Sequence, residues 1–218
     1  MCTEYPKAKE FINVLSGIAN FTWNRTHGAF MLFHAWQGMK EEFKPDEVDG
    51  VEIEFSDTVD LEHYQRTVNE TIENIYNRRP SSCDPPANES LECCPRRAPK
   101  SMYCCKGGTD IIRALTGSLT LMFQSSSGMR EDVEQVAILI TDGQDTNNHP
   151  QLFQNYVEMA ETFKQRKIRI LAIGVGDVSE KNLKTLVQSP DHFFKVETFD
   201  NLVEDLTELI GAIICKGM

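Results

Sequence analysis

The run Val136-Ala137-Ile138-Leu139-Ile140-Thr141-Asp142-Gly143 sets a hydroxyl and a carboxylate directly after an unbroken apolar stretch. An acidic residue at such a position is a candidate metal or ligand group. A second pair, Thr109 and Asp110, follows Gly107-Gly108 and opens the pattern Ile111, Ile112, Leu115, Leu119, Met122. Gln144 and Asp145 lie just beyond Asp142 and could face a ligand or add to a metal shell. Each acidic residue also has a plain structural reading. Ser, Thr and Asp are preferred helix N-caps, so Thr109 suits the glycine-to-helix junction, and Asp142, Asp110 and Asp145 could close a loop or cap a helix.

The elements around these residues decide whether they can meet. A short apolar run rich in β-branched residues reads as a strand covered on both faces, as in a parallel sheet between helices. In such sheets ligands bind at the carboxyl ends of the strands, where Thr141 and Asp142 fall. Ile168 to Asp177 (IRILAIGVGD) repeats the theme of strand then glycine turn, and Leu152, Phe153, Tyr156, Val157, Ala160 and Phe163 form one face of a helix between them. Strand, helix, strand in that order is a parallel, right-handed crossover. Phe11, Leu15, Ile18 and Phe21 mark a first helix. Residues 29–37 and 51–55 read as strands, 61–76 as a helix and 192–199 as a late strand. Leu202, Leu206, Leu209 and Ile213 are the seam of a final helix capped by Asp200 or Asn201. The whole chain, 1–218, is expected to be one α/β domain: a doubly wound, mostly parallel sheet flanked by helices.

This order of elements, with GGTD, ITDG and IGVGD in sequence and on the right elements, resembles the von Willebrand factor type A (integrin I-like) family. The resemblance implies a noncatalytic adhesion, matrix or receptor module. It also implies a metal-ion-dependent adhesion site, in which a DxSxS loop, a threonine and an aspartate hold Mg2+ or Mn2+ and leave a position open for a partner carboxylate. Thr109 matches the family threonine and Asp142 the family aspartate. The DxSxS loop has no counterpart, because Met1-Cys2-Thr3-Glu4-Tyr5-Pro6-Lys7 resembles the segment that follows it. The expectation is therefore an N-terminally truncated chain, lacking the family's first central strand, with an incomplete metal site and two strand edges left open.

Seven cysteines are present, and five of them (Cys83, Cys93, Cys94, Cys104 and Cys105) lie in an insert at about 78–107 that also holds five of the nine prolines. The insert reads as a disulfide-stapled loop; CC-x9-CC lacks the short spacing of tetrahedral zinc sites. It runs into Gly107-Gly108-Thr109, so it should lie beside the proposed metal face. On the resembled fold, Cys215 ends the last helix, where family members pair it with a cysteine ahead of the first strand. Cys2 begins the first helix at the opposite end, so Cys215 is expected to lack its partner here. Cys2 and the insert cysteines then form three bridges in one of about fifteen connectivities. Four sequons, at Asn20, Asn24, Asn69 and Asn88, together with the cysteines favour a secreted glycoprotein. Residues 1–6 have neither the basic start nor the apolar core of a signal peptide. No apolar run approaches the roughly 18 residues that a membrane span needs.

The net charge of −11 argues against nucleic acid, whose binding rests on neutralising phosphates. Among enzyme classes, a nucleophile elbow, a phosphate-binding loop and a Cys-His pair are all missing from the sequence. Residues 53–60 (IEFSDTVD) only loosely resemble a metal-dependent phosphoryl-transfer motif. The expected function is thus an extracellular binding module that holds a matrix protein (collagen-like) or a receptor through a divalent cation on Thr109 and Asp142. The alternatives are a metal-independent binder using the cysteine-rich insert and a metal-dependent hydrolase.

Overall fold

The computed structural model describes residues 5–18, 27–31, 51–53, 60–77, 109–142, 144–145 and 151–203. Its organising element is β4 (Ile168–Val175), a strand with almost every residue buried. Period-two alternation divides its side chains between two cores. Ile168, Ile170 and Ala172 enter one cluster with Leu115, Tyr156, Phe163 and Leu186. Leu171, Ile173 and Val175 enter the other with Phe11, Leu15, Phe199 and Leu202. Helices α3 (Ile111–Gly117), α4 (Leu152–Gln165) and α5 (Glu180–Leu186) cover the first face. Helix α1 (Tyr5–Ile18) and the helical residues 199–203 cover the second. Burying an Ile or Leu side chain contributes about 1.5–3 kcal/mol. A strand apolar on both sides is therefore stable only between two such layers.

β4 pairs in parallel with β3 (Gln135–Thr141) on one side and with β5 (Phe193–Val196) on the other. β1 (Phe30–Met31) and β2 (Val51–Ile53) form a separate antiparallel pair, and no described strand joins it to the parallel sheet. Helix α2 (Leu61–Asn77) lies against α1. There, Gln65 Nε2 donates to Asn13 O at 2.8 Å and to Ser16 Oγ at 3.1 Å. The expected doubly wound α/β architecture is present.

Several details differ from the sequence reading. β3 packs toward both cores, Ala137 and Leu139 into the first and Val136, Ile138 and Ile140 into the second, but only Leu139 and Thr141 are fully buried. Among the described residues its only strand partner is β4. On α4 the inward stripe is Leu152, Tyr156, Met159 and Phe163, while Phe153 and Val157 are exposed. Ile18 is exposed too. The late strand ends at Val196, and Thr198, not Asp200 or Asn201, caps the following helix. Its Oγ1 accepts from Asn201 N at 3.4 Å and donates to Asn201 Oδ1 at 2.9 Å. Helix α5 was not foreseen. Phe21, residues 32–37, 54–55 and the seam beyond residue 203 lie outside the described residues.

Two local features hold the first core together. After α3 the helix continues as a π turn, Ser118–Met122, whose widened end leaves carbonyls to satisfy. Arg166 closes it, with Nη1 donating to Leu119 O at 3.0 Å and Nη2 to Phe123 O at 2.6 Å. On β4, Gly174 faces Val178 and Leu183 so closely that any Cβ would collide with Val178. Gly174→Ala is therefore expected to cost about 1–3 kcal/mol through overpacking, read as a lowered urea midpoint at unchanged slope. An unchanged midpoint would mean that Val178 yields freely.

Candidate functional site

Two chain segments reach the carboxyl end of the parallel sheet. The first is the start of α3. Asp110 is its N-cap, with Oδ1 accepting from Arg113 N at 2.9 Å, and half-buried Thr109 stands immediately before it. The sequence suggested Thr109 for the cap; because α3 starts at Ile111, the capping position falls on Asp110 and the threonine lies one position outside it. The second segment is the bend after β3. Thr141 is buried at the strand end, in register with Gly174 of β4, and Asp142 follows it half-buried.

The Asp145 carboxylate connects the segments. Asp145 Oδ2 accepts from Ile111 N, the first amide of α3, at 3.3 Å, and from the Tyr156 hydroxyl of α4 at 3.2 Å. The placement suits the positive end of the α3 dipole. Gln144, by contrast, is exposed and reaches sideways, with Nε2 donating to Asp177 Oδ2 in the turn after β4 at 3.3 Å. The backbone of that turn is fixed by Gly176, at φ 71°, whose N–H donates to Val196 O at 2.8 Å. The left-handed conformation there favours glycine.

Of the residues singled out from sequence, Asp142 follows the end of β3, Asp145 is bonded to the start of α3 beside Thr109 and Asp110, and Gln144 is exposed. The spacing puts Asp145 within three residues of Asp142, and Ile111 within two of Thr109. Asp110 and Asp145 spend carboxylate oxygens on the α3 terminus. Asn69 lies on α2 facing α1, where its Oδ1 accepts from Asn13 Nδ2 at 2.8 Å. Asn20, Asn24, Asn88 and the cysteines Cys2, Cys83, Cys93, Cys94, Cys104, Cys105 and Cys215 lie outside the described residues. Among the described residues no three His, Cys, Asp or Glu side chains converge as a metal cage, and no helix is long and apolar enough to cross a membrane.

This arrangement can be set beside known proteins. A profile of the von Willebrand factor type A domain matches residues 99–209, just over half of the chain. The chain belongs to the von Willebrand factor type A domain family. The matched span contains α3, the β3 bend, α4, β4 and β5, so both segments of the candidate site lie within the type A domain. Relatives by sequence include the collagen alpha-4(VI) chain of Mus musculus, 33% identical over 121 residues that make up 56% of this chain and 5% of the relative. Matrilin-2 of Mus musculus is 32% identical over 124 residues, 55% of this chain and 12% of that protein. The chain thus corresponds to a small part of each. In architecture it is similar to proximal thread matrix protein 1 from the mussel byssus, in a structure with a zinc-occupied MIDAS motif, at a TM-score of 0.65 and 16% identity, covering 97% of this chain and 43% of that one. At that identity the likeness concerns the fold.

Sequence reasoning missed the roles of Tyr156 and Asp177. Tyr156 sat among apolar positions of α4, and the hint was its hydroxyl: a buried tyrosine needs a partner for its O–H. Asp177 was visible only as the end of a glycine turn.

Tyr156 is fully buried, and burial first, then the charge and hydrogen bond of Asp145 and the charge of Asp110, push its phenol well above the ordinary tyrosine range. Its folded value lies above its unfolded value of about 10. The associated stability is therefore complete below about pH 10 and is lost as pH rises past it. Wild type is expected to lose stability between pH 9 and 11 more steeply than Tyr156→Phe in urea melts. Parallel pH curves would show that the phenol titrates normally.

Proposed function

We propose that this type A domain is a noncatalytic extracellular binding module whose ligand face is the carboxyl end of the parallel sheet. The partner class is a matrix protein, collagen-like, or a receptor. The observation that carries this reading is the hydrogen bond from Ile111 N, two residues after Thr109, to Asp145, three residues after Asp142. The sequence relatives, collagens and a matrilin, support the partner class, and the sequons and cysteines support an extracellular setting.

A divalent cation fits this face in donor type. A threonine hydroxyl and an aspartate carboxylate are hard oxygens suited to Mg2+ or Mn2+, and the described residues offer no soft nitrogen or sulfur cluster beside them. When bound, the ion would present a positive centre to a partner carboxylate. Thr109 and Asp142 would hold it. Two protein oxygens leave most of a six-oxygen shell to water and the partner, so weak intrinsic cation affinity is expected.

The test is solid-phase binding of the chain to immobilised collagens and matrilins in Mn2+ or EDTA, with Asp142→Ala alongside. Binding that needs Mn2+ and falls at least about tenfold in Asp142→Ala supports the cation-bridged face. Binding indifferent to EDTA and to Asp142→Ala transfers the function to the cysteine-rich insert. Binding to none of these proteins overturns the partner class.

A further inference from the structure

Among the described residues, one polar group lies where α3, the β3 bend and α4 come together, and its oxygen contacts go beyond what capping requires. Asp110 already caps α3 through Arg113 N. Asp145 nevertheless sends Oδ2 to a different amide of the same terminus, Ile111 N, and shares that oxygen with a hydroxyl from the fully buried side of α4. The two donors come from elements far apart in sequence, and the acceptor belongs to the loop that begins at Asp142. Losing either donor would release one side of the loop. Losing the acceptor would leave a phenol buried without that bond, which is costly.

We propose that Asp145 is a positioning residue, clamped by Tyr156, which fixes the distance between Thr109 and Asp142 and so sets the affinity of the face for its cation and partner. This rests on the reading of that face given above. The same loop also holds Gln144 to Asp177, an exposed contact for which water competes. The Tyr156 hydroxyl reaches Asp145 from a helix whose inward stripe is locked in the first core, so the clamp has a rigid base. A carboxylate is suited to the task because it accepts two donors on one oxygen and is favoured by the α3 dipole.

Positioning and direct ligation by Asp145 make opposite forecasts for two variants. Tyr156→Phe leaves the carboxylate in place and removes only its support. Asp145→Asn keeps an oxygen acceptor for both donors but removes the charge that a cation would seek. Mn2+ binding to the full chain, followed by the electron paramagnetic resonance of free Mn2+, is expected to weaken about tenfold in Tyr156→Phe and in Asp145→Ala, and to recover largely in Asp145→Asn. Amide hydrogen exchange at Ile111 should accelerate in the same two variants and stay near wild type in Asp145→Asn, with thermal melts confirming that each remains folded. Loss in Asp145→Asn with no change in Tyr156→Phe would overturn the proposal and make Asp145 a ligand. If the wild type binds no Mn2+, the cation reading fails by itself. The exchange data then decide the clamp: unchanged Ile111 exchange in Tyr156→Phe and Asp145→Ala would overturn it.

Discussion

The two-sided burial of β4 is the constraint from which the rest of the molecule follows. Its odd and even residues serve different cores, so neither helical layer can be removed without exposing half of the strand. That requirement places α3, α4 and α5 on one side and α1 with the 199–203 helix on the other. It also consumes the backbone of the sheet in hydrogen bonds, with Gln135 to Thr141 in register with Ile168 to Gly174. Chemistry is then confined to the ends, where strands stop and helices start. Groups left over from the ladder can meet a ligand there.

At the carboxyl end the pieces are held by polar contacts of unequal weight. Asp145 joins three elements, two of which belong to the core, whereas Gln144 joins two exposed turns. A buried hydrogen bond to a charged acceptor contributes about 1.5–3 kcal/mol, and an exposed one much less. Rigidity at this face therefore comes mainly from the side that touches the core. The opposite end of α3 shows the same economy: one guanidinium, Arg166, satisfies the carbonyls that the π turn leaves open. Both termini of a short helix are thus secured by side chains that arrive from the β3–β4 crossover.

Much of this was legible in the residues themselves. Ile168 to Val175 could hardly be anything but a covered strand, and the alternation of apolar runs with helical stripes led to the right class of fold. The family resemblance rested on GGTD, ITDG and IGVGD, and the matched span covers all three. What failed to show was whatever depends on tertiary neighbours. Phe153 and Val157 fit the helical period as well as Met159 does, yet they face outward because the first core is already filled by Tyr156 and Phe163. α5 is too short for its Leu183 and Leu186 to stand out as a period. Thr198 outcompeted Asp200 and Asn201 as a cap through geometry that no propensity records. At the site, the positions of Thr109 and Asp142 followed from motif and topology, but the partnership of Asp145 with Tyr156 joins residues whose types alone do not announce each other.

Gln188 has a part to play beyond its own short turn. β5 begins only opposite Ala172, so among the described residues the lower stretch of β4 meets no strand on that side. There the Gln188 side chain imitates a neighbouring strand: Oε1 accepts from Ile170 N at 3.0 Å and Nε2 donates to Ile168 O at 3.3 Å. An uncovered stretch of ladder beside such an apolar strand is a template for a foreign chain. By pairing both groups with its amide, Gln188 closes that stretch of β4 to an incoming chain.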